Sequence, residues 1–320
     1  MLGPFVVLFG PTGTGKTESL YRHCRGTAEV ISADSMQVYR TLTVGTAKPS
    51  LELRSELPHH LVDICSLHET FDLGTFVEQC ERLIAAIAAR GKLPVVAGGT
   101  AFYLRGLLYG LPEAPRAEPE LRRTLFEELR ERGEDALRRE LELIDPLSAG
   151  RIERGDTYRI VRALEVHRAS GRPLSSFRRP SRPRRDLEVT VIGLYREREE
   201  LYERINRRVE AMLENGLAEE VAALLGAGYR GDEPGLRGIG YREFFDALAA
   251  GELRPADLTV RDTRPDSVLR VIEQIKRNTR RYAKRQLTFF RRFDSVRWVH
   301  AEDHETLERL FRYVVPQNKI

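Results

Sequence analysis

Four stretches carry residues whose types and spacing could do chemistry. The first is Gly10-Pro11-Thr12-Gly13-Thr14-Gly15-Lys16-Thr17, which satisfies G-x-x-x-x-G-K-[ST] at every fixed position. Glycines let the backbone curl until successive N–H groups face phosphate oxygens, and the helix that follows presents its positive end. Lys16 is placed to hold a terminal phosphate, and the Thr17 hydroxyl to ligate Mg²⁺. A di- or triphosphate suits such a loop; the motif does not say which one, or what becomes of it. The second stretch, Asp34-Ser35-Met36-Gln37, puts a carboxylate just after an apolar run, where α/β sheets bind ligands. An aspartate in that place also serves as a helix cap or turn residue. The third, Gly98-Gly99-Thr100, again follows an apolar run; its glycines permit close backbone approach and its threonine offers a hydroxyl.

The fourth signal is electrostatic. Between Val268 and Phe293 nine basic residues face one acidic residue, Glu273. Lys276, Arg280 and Lys284 form one row at a four-residue step, and Arg277, Arg281 and Arg285 form the row beside it. Ile272, Ile275, Thr279, Tyr282 and Gln286 take the other side of the same helix. A solvated helix face usually mixes signs and this one does not; with Phe289, Phe290 and Phe293 nearby, it reads as a stripe for a nucleic-acid backbone.

The elements that must position these groups follow from periodicity. Phe5 to Phe9 is an uninterrupted apolar run, as in a strand buried on both faces, and Thr17 to Cys24 reads as the helix after the loop. Strands are expected at Glu29–Ala33, Pro58–Ile64 and Leu93–Ala97, with helices at Thr70–Arg90 and Ala101–Tyr109. Strand and helix alternate throughout, which implies a doubly wound parallel sheet. Composition changes at Leu111-Pro112-Glu113, and from Pro119 to about Ser170 the chain is charged and helical. Gly171 to Arg185 holds six arginines and three prolines and reads as a flexible basic loop. The expected architecture is α/β: a core from 1–112 and 188–320, interrupted by a helical insertion at 113–187. After a strand at Leu187–Leu194, helices are expected at Arg198–Leu213 and Leu217–Leu225, then a turn, Arg237-Gly238-Ile239-Gly240-Tyr241-Arg242, and the basic helix from Ser267 to Arg292.

Composition excludes several classes. Hydrophobic residues make up 41% and charged residues 31%, which describes a globular protein with a polar surface. Lysine occurs at only six positions, so most of the 52 basic residues are arginines, whose planar forks suit phosphate. Cys24, Cys65 and Cys80 are odd in number and show no C-x-x-C spacing, which points to a reducing compartment and to neither a disulfide framework nor a zinc site. His59 and His60 lie beside Cys65 without further ligands at metal spacing. No apolar run reaches the length of about 18 residues that spans a bilayer, and the N-terminus runs into the loop without a basic leader, so a cytoplasmic protein is expected. No apolar strand ends in Asp-Glu, as in a P-loop motor, and no Asn-Lys-x-Asp recognises guanine. A group-transfer enzyme acting on RNA and a nucleotide or small-molecule kinase remain, with an RNA binder switched by nucleotide as a third reading.

Together the motifs closely resemble those of tRNA dimethylallyltransferases of the bacterial form. The matching stretches are GPTGTGKT (10–17), ISADSMQVY (31–39), VGTAKPS (44–50), PHHLVDI (58–64), VVAGGTAFYLRGLLYGL (95–111), YRIVRALEV (158–166), RGIGYRE (237–243) and RRYAKRQLTFFRR (280–292). They run over nearly the whole chain in family order, without the C-terminal Cys₂His₂ finger of eukaryotic members. The resemblance implies that dimethylallyl diphosphate, not ATP, sits in the loop with Mg²⁺ on Thr17. It implies that Asp34 is the general base toward the adenine amine, that Thr100 lies near the reacting centre, and that Arg198 helps grip the diphosphate. It also implies that a tRNA anticodon stem-loop is the partner. Its contacts would be Asp34, Ser35, Met36, Gln37, Thr100, Arg122, Tyr158, Arg159, Ile160, Val161, Arg162, the segment Arg237 to Arg242, and Lys276, Arg280 and Lys284. A monomer is expected.

Overall fold

Val6, Val7, Leu8 and Phe9 are wholly buried because the strand they form has a neighbour on each edge and helices on each face. This strand, β1 (Leu2–Phe9), is followed by α1 (Lys16–Cys24), β2 (Ala28–Ser32), α2 (Leu51–Glu56), β3 (His59–His60), α3 (Leu73–Ala89), β4 (Leu93–Gly98) and α4 (Ala101–Tyr109). Then come α5 (Pro119–Arg132), α6 (Glu134–Ile144), α7 (Pro146–Ala149), α8 (Thr157–Ser170), β5 (Leu187–Tyr195), α9 (Arg198–Glu214), α10 (Leu217–Gly226), α11 (Arg242–Ala249), α12 (Asp266–Phe290), β6 (Arg297–His300) and α13 (His304–Val314). The structure is a computed structural model and describes residues 1–116, 118–178, 180–261 and 263–314.

The six strands form one sheet in the order β3-β2-β4-β1-β5-β6, and every pairing is parallel. Val7 lies between Val96 of β4 and Val191 of β5. Alternation along β1 sorts the faces. Val6 and Leu8 pack with Leu20 and Cys24 of α1 and with Leu307, Leu310 and Phe311 of α13. Phe9 turns the other way and stacks on Phe290 of α12, with ring centroids 4.4 Å apart. The expected parallel α/β sheet is therefore present. The His-His strand is shorter than the run Pro58–Ile64, because Leu61 and Asp63 adopt positive φ and turn the chain. β6 and α13 complete the sheet and cover it beyond the point where the sequence signals end.

The chain divides into two units, 1–107 with residues from 185 onward, and 108–184. The first has a second apolar core, where α9 to α12 enclose Leu236, Tyr241, Phe244 and Ile275. The second unit is held by Leu125, Leu137, Leu141, Ile160, Val161 and Leu164 from α5, α6 and α8. Within the arginine-rich stretch after α8, Leu174–Ser176 forms a 3₁₀ turn whose Ser175 amide donates to Asp145; Arg179 lies outside the described residues. No helix among the described residues is long and apolar enough to cross a membrane. The three cysteines are buried and unpaired with one another.

Candidate active site

The ends of β1, β4 and β2 bring the three polar motifs to one edge of the sheet. After β1 the loop turns through Gly13 (φ 85°) and Gly15 (φ 94°), a left-handed region that favours glycine, and α1 begins at Lys16. The Lys16 ammonium donates to the Gly10 and Pro11 carbonyls at 2.8 and 3.0 Å, so it closes over its own loop. Burial and the positive charge of Arg208 push the Lys16 pKa down to about 8, with Asp34 pulling the other way. Lys16, Arg208 and Asp34, each half-buried, therefore lie in one another's electrostatic field.

Asp34 follows β2 as the first residue of an Asx turn: its Oδ1 accepts the amides of Met36 (2.9 Å) and Gln37 (3.3 Å). The structural role weighed for this residue is thus real, and it leaves the second carboxylate oxygen for other work. Thr100, after β4, accepts the Ser35 amide on its hydroxyl oxygen at 3.0 Å, while its own amide donates to the Ala33 carbonyl. Gly98 is required by this approach, because a Cβ there would lie 2.1 Å from the Ala33 carbonyl oxygen. Adjacent parallel strands explain the convergence: β2 pairs with β4 and β4 with β1, so their carboxyl ends open into one crevice.

Arginines frame the loop, though not the one expected. Arg198 is exposed, with its guanidinium over the Tyr202 ring. Arg196, just after β5, donates from Nε to the Thr14 carbonyl (3.0 Å), and Arg204 of α9 donates from Nε to the Gly13 carbonyl (3.0 Å). Arg208, one turn further along α9, faces Lys16 and Asp34; burial lowers its pKa and the Asp34 charge opposes the shift. Position in α9 could have signalled them. Arg204 and Arg208 are one turn apart and border the buried stripe Leu201, Ile205 and Val209. On the far side of the crevice, burial and the Asp34 charge push the Tyr282 hydroxyl of α12 up to about 12.

The RNA-facing residues expected from sequence separate into exposed and structural ones. Met36 packs against Gly238, where a Cβ would lie 2.3 Å from the Met36 methyl group. Gln37 donates to the Thr46 carbonyl and accepts from Ser32. Arg242 is exposed and Ile239 half-buried, while Arg237 donates to the Asp232 carbonyl. Tyr241, expected among the tRNA contacts, is instead wholly buried, and Gly45 lies against its ring. In the second unit, Tyr158 and Arg159 are exposed, but Ile160 and Val161 belong to the core and cannot touch a ligand directly. Arg122 and Arg162 both bind the buried Glu165 carboxylate, at 2.9 and 2.6 Å.

On α12 the row Arg277, Arg281 and Arg285 is wholly exposed, whereas the row Lys276, Arg280 and Lys284 grades from buried to exposed. Arg277, Arg281, Lys284 and Arg285 are exposed. Lys276 is buried instead, donating at 2.7 Å to both Glu210 and Glu273, whose carboxylates outweigh its burial and raise its pKa. Arg280 is half-buried and donates to Asn206 at 2.5 Å. Lys276 is therefore a packing residue, and the exposed basic residues of this stretch are Arg277, Arg281, Lys284 and Arg285. Lys48, in the loop before α2, is committed to Asp63 at 2.5 Å together with Arg54.

Among the described residues no group of three His, Cys, Asp or Glu could hold a metal ion. His60 is bound instead to Glu29 at 2.7 Å. The Thr17 hydroxyl, one residue into α1, is an oxygen donor of the kind that could hold Mg²⁺, an ion that commonly takes few protein ligands and completes its shell with phosphate and water.

A phosphate-cradling loop between β1 and α1, with a carboxylate and a hydroxyl at the ends of the neighbouring strands, defines a P-loop protein built for group transfer. The chain belongs to the IPP transferase family, whose model matches residues 37–293. It is 44% identical over 297 residues to tRNA dimethylallyltransferase 1 of Citrifermentans bemidjiense, covering 92% of this chain and 91% of that one. It is 41% identical over 302 residues to the tRNA dimethylallyltransferase of Salinibacter ruber, covering 94% and 89%. Among solved structures it is similar to the full-length tRNA isopentenylpyrophosphate transferase of Bacillus halodurans (TM-score 0.66, 34% identity, 97% and 95% covered). It also matches a eukaryotic dimethylallyltransferase acting on tRNA (TM-score 0.72, 26% identity, 97% and 77% covered).

Proposed function

We propose that this chain transfers the dimethylallyl group of dimethylallyl diphosphate to N6 of the adenine 3′ of the anticodon in tRNA, releasing diphosphate. The observation that carries this reading is the convergence of the phosphate loop, Asp34 and Thr100 at the carboxyl ends of β1, β2 and β4. The C–O bond to the diphosphate breaks as N6 bonds to the allylic carbon, and one N6 proton is lost. Negative charge grows on the departing diphosphate, where the loop amides, Lys16 and Arg208 meet it. The Thr17 hydroxyl would hold a Mg²⁺, which would supply further charge neutralisation to the leaving group. Lys16 must swing from the Gly10 and Pro11 carbonyls to reach them, a change of hydrogen-bond partners that a diphosphate more than repays with its charge.

An adenine amine is a weak nucleophile, so a carboxylate that takes its proton late in the attack is well matched to the task. Asp34 does this with the oxygen that its Asx turn leaves open, and Thr100 fixes the Ser35 amide beside it. The base must leave its stack to reach this crevice. Phosphate contacts from Arg277, Arg281, Lys284 and Arg285, with Tyr158 and Arg159 of the second unit as further contacts, offset that cost.

The deciding experiment supplies the protein with dimethylallyl diphosphate, Mg²⁺ and an unmodified tRNA with three consecutive adenines in its anticodon loop. Isopentenyladenosine by mass spectrometry is the expected product. Its absence, together with phosphoryl transfer from ATP to a small acceptor, would establish a kinase instead.

A further inference from the structure

The side of α12 that faces the core is apolar at Val268, Val271, Ile272, Ile275, Ala283 and Phe290, yet it buries one neutral amide, Gln286, at 4% exposure. A buried amide without partners is costly, so its bonds show what it is for. Its Oε1 accepts the Thr12 amide at 3.0 Å, and its Nε2 donates to the Gly99 carbonyl at 2.6 Å. These partners lie 274 and 187 positions away in the chain. The fit is tight: a Cβ on Gly99 would come within 2.5 Å of Nε2, with the Gly10 carbonyl also nearby. The second glycine of Gly98-Gly99-Thr100 thus makes room for the amide of Gln286.

We propose that Gln286 is a positioning residue that fixes the phosphate loop relative to the Gly99–Thr100 turn. The proposal rests on the reading of the loop as a diphosphate cradle. The leaving group lies on the loop side of the reacting carbon, and the groups that receive the nucleophile lie on the Asp34 and Thr100 side. The distance between the two sides sets the attack geometry, and small misplacements cost rate steeply. β-Sheet pairing fixes the strand ends, but not the loop that leaves β1. Gln286 spans that gap with one donor and one acceptor, which methionine, leucine or a carboxylate could not supply together. The tie comes from the helix whose opposite side carries the exposed basic row, so the same element that holds RNA also aligns the cradle.

The test compares Gln286→Met, which keeps the volume and loses both bonds, with Gln286→Glu, which keeps only the acceptor for Thr12. The Met variant should lose about tenfold or more in kcat, raise KM for dimethylallyl diphosphate, and keep tRNA affinity within about twofold by filter binding. The Glu variant should fall between it and wild type. Unchanged kcat and KM in folded Gln286→Met overturn the proposal, as do equal losses in kcat and tRNA affinity. If Gln286→Met does not fold, Gly99→Ala disturbs the same contact from the other side and is held to the same criteria. Calorimetry of the wild-type protein with dimethylallyl diphosphate separates the two levels. If the wild type does not bind this donor, the cradle reading fails; if it binds and the variants react normally, the role of Gln286 fails.

Discussion

The Tyr241 hydroxyl, at the end of a wholly buried ring, donates to a carboxylate oxygen of the half-buried Glu220 at 2.6 Å. The same carboxylate accepts the amides of Thr43 (2.7 Å), Val44 (3.1 Å) and Gly45 (3.2 Å), so an anion from α10 fills a nest of main-chain donors. This holds the loop whose Thr46 carbonyl receives Gln37 and Arg208, two residues at the edge of the crevice. The arginine–glycine turn at 237–242 therefore supports the site from within, while its arginines stay at the surface.

Removing that hydroxyl should cost stability without altering shape. Tyr241→Phe leaves Glu220 one donor short, and a hydrogen bond to a charged group is worth about 1.5–3 kcal/mol. Chemical denaturation should show a loss of that size, and a change below about 0.5 kcal/mol would mean that the carboxylate finds another donor.

Asp34→Ala separates chemistry from binding. Loss of a general base lowers turnover by about 10²–10⁴-fold, whereas tRNA affinity, which depends mainly on phosphate contacts, should change little. Single-turnover kinetics and filter binding on the same variant measure both. Equal losses would argue that Asp34 mainly organises the turn through Met36 and Gln37.

The Lys16 field makes donor use depend on pH in a fixed direction. Its pKa of about 8 lies below the ordinary value of 10.5, so the free protein loses this charge as pH rises through about 8. Binding a diphosphate then requires proton uptake, and kcat/KM for the donor should fall by about tenfold per pH unit above that point. Lys16→Arg should flatten the fall, because a guanidinium stays charged across this range. The sign for folding is opposite. A lysine whose pKa is depressed on folding penalises the native state most where it is charged, so its contribution to stability improves as pH rises from about 8 toward 10.5.

The exposed and the buried basic residues of α12 should behave differently. Arg281→Ala and Lys284→Ala each remove an exposed charge and should weaken tRNA binding while reducing the salt slope by about one. Lys276→Ala should leave the slope unchanged and lower thermal stability modestly, by about 1 kcal/mol, since its partners Glu210 and Glu273 are themselves exposed. A changed salt slope in Lys276→Ala would return that lysine to the RNA surface.

Local signals made much of this legible. The apolar runs at 5–9, 29–33 and 93–97 announce strands buried on both faces, and the loop after the first of them is a complete motif. Asp34 and Thr100 could be singled out because they follow two of those runs. What could not be read was pairing at long range. Lys276 and Arg280 have the same spacing as a surface row, and only the packing of α12 on α9 turns them toward Glu210 and Asn206. Ile160 and Val161 sit in a motif that resembles RNA-contacting segments, but helical periodicity places them on the inward face of α8. Arg208 and Gln286 act through partners more than 150 positions away, for which sequence spacing holds no information.

The pairing of β1 also bears on how the polypeptide emerges from the ribosome. Val7 is among the first residues made, yet its second neighbour, Val191, follows more than half the chain later. Meanwhile 108–184 acquires a core of its own and can settle before the sheet closes. This strand, wholly buried at Phe5 to Phe9 once folded, therefore waits with one edge open, and pairings across such long separations close slowly. A nascent chain released after Arg184 would keep that edge exposed, ready to join another copy's strand, so holdase chaperones should engage this interval of synthesis most strongly.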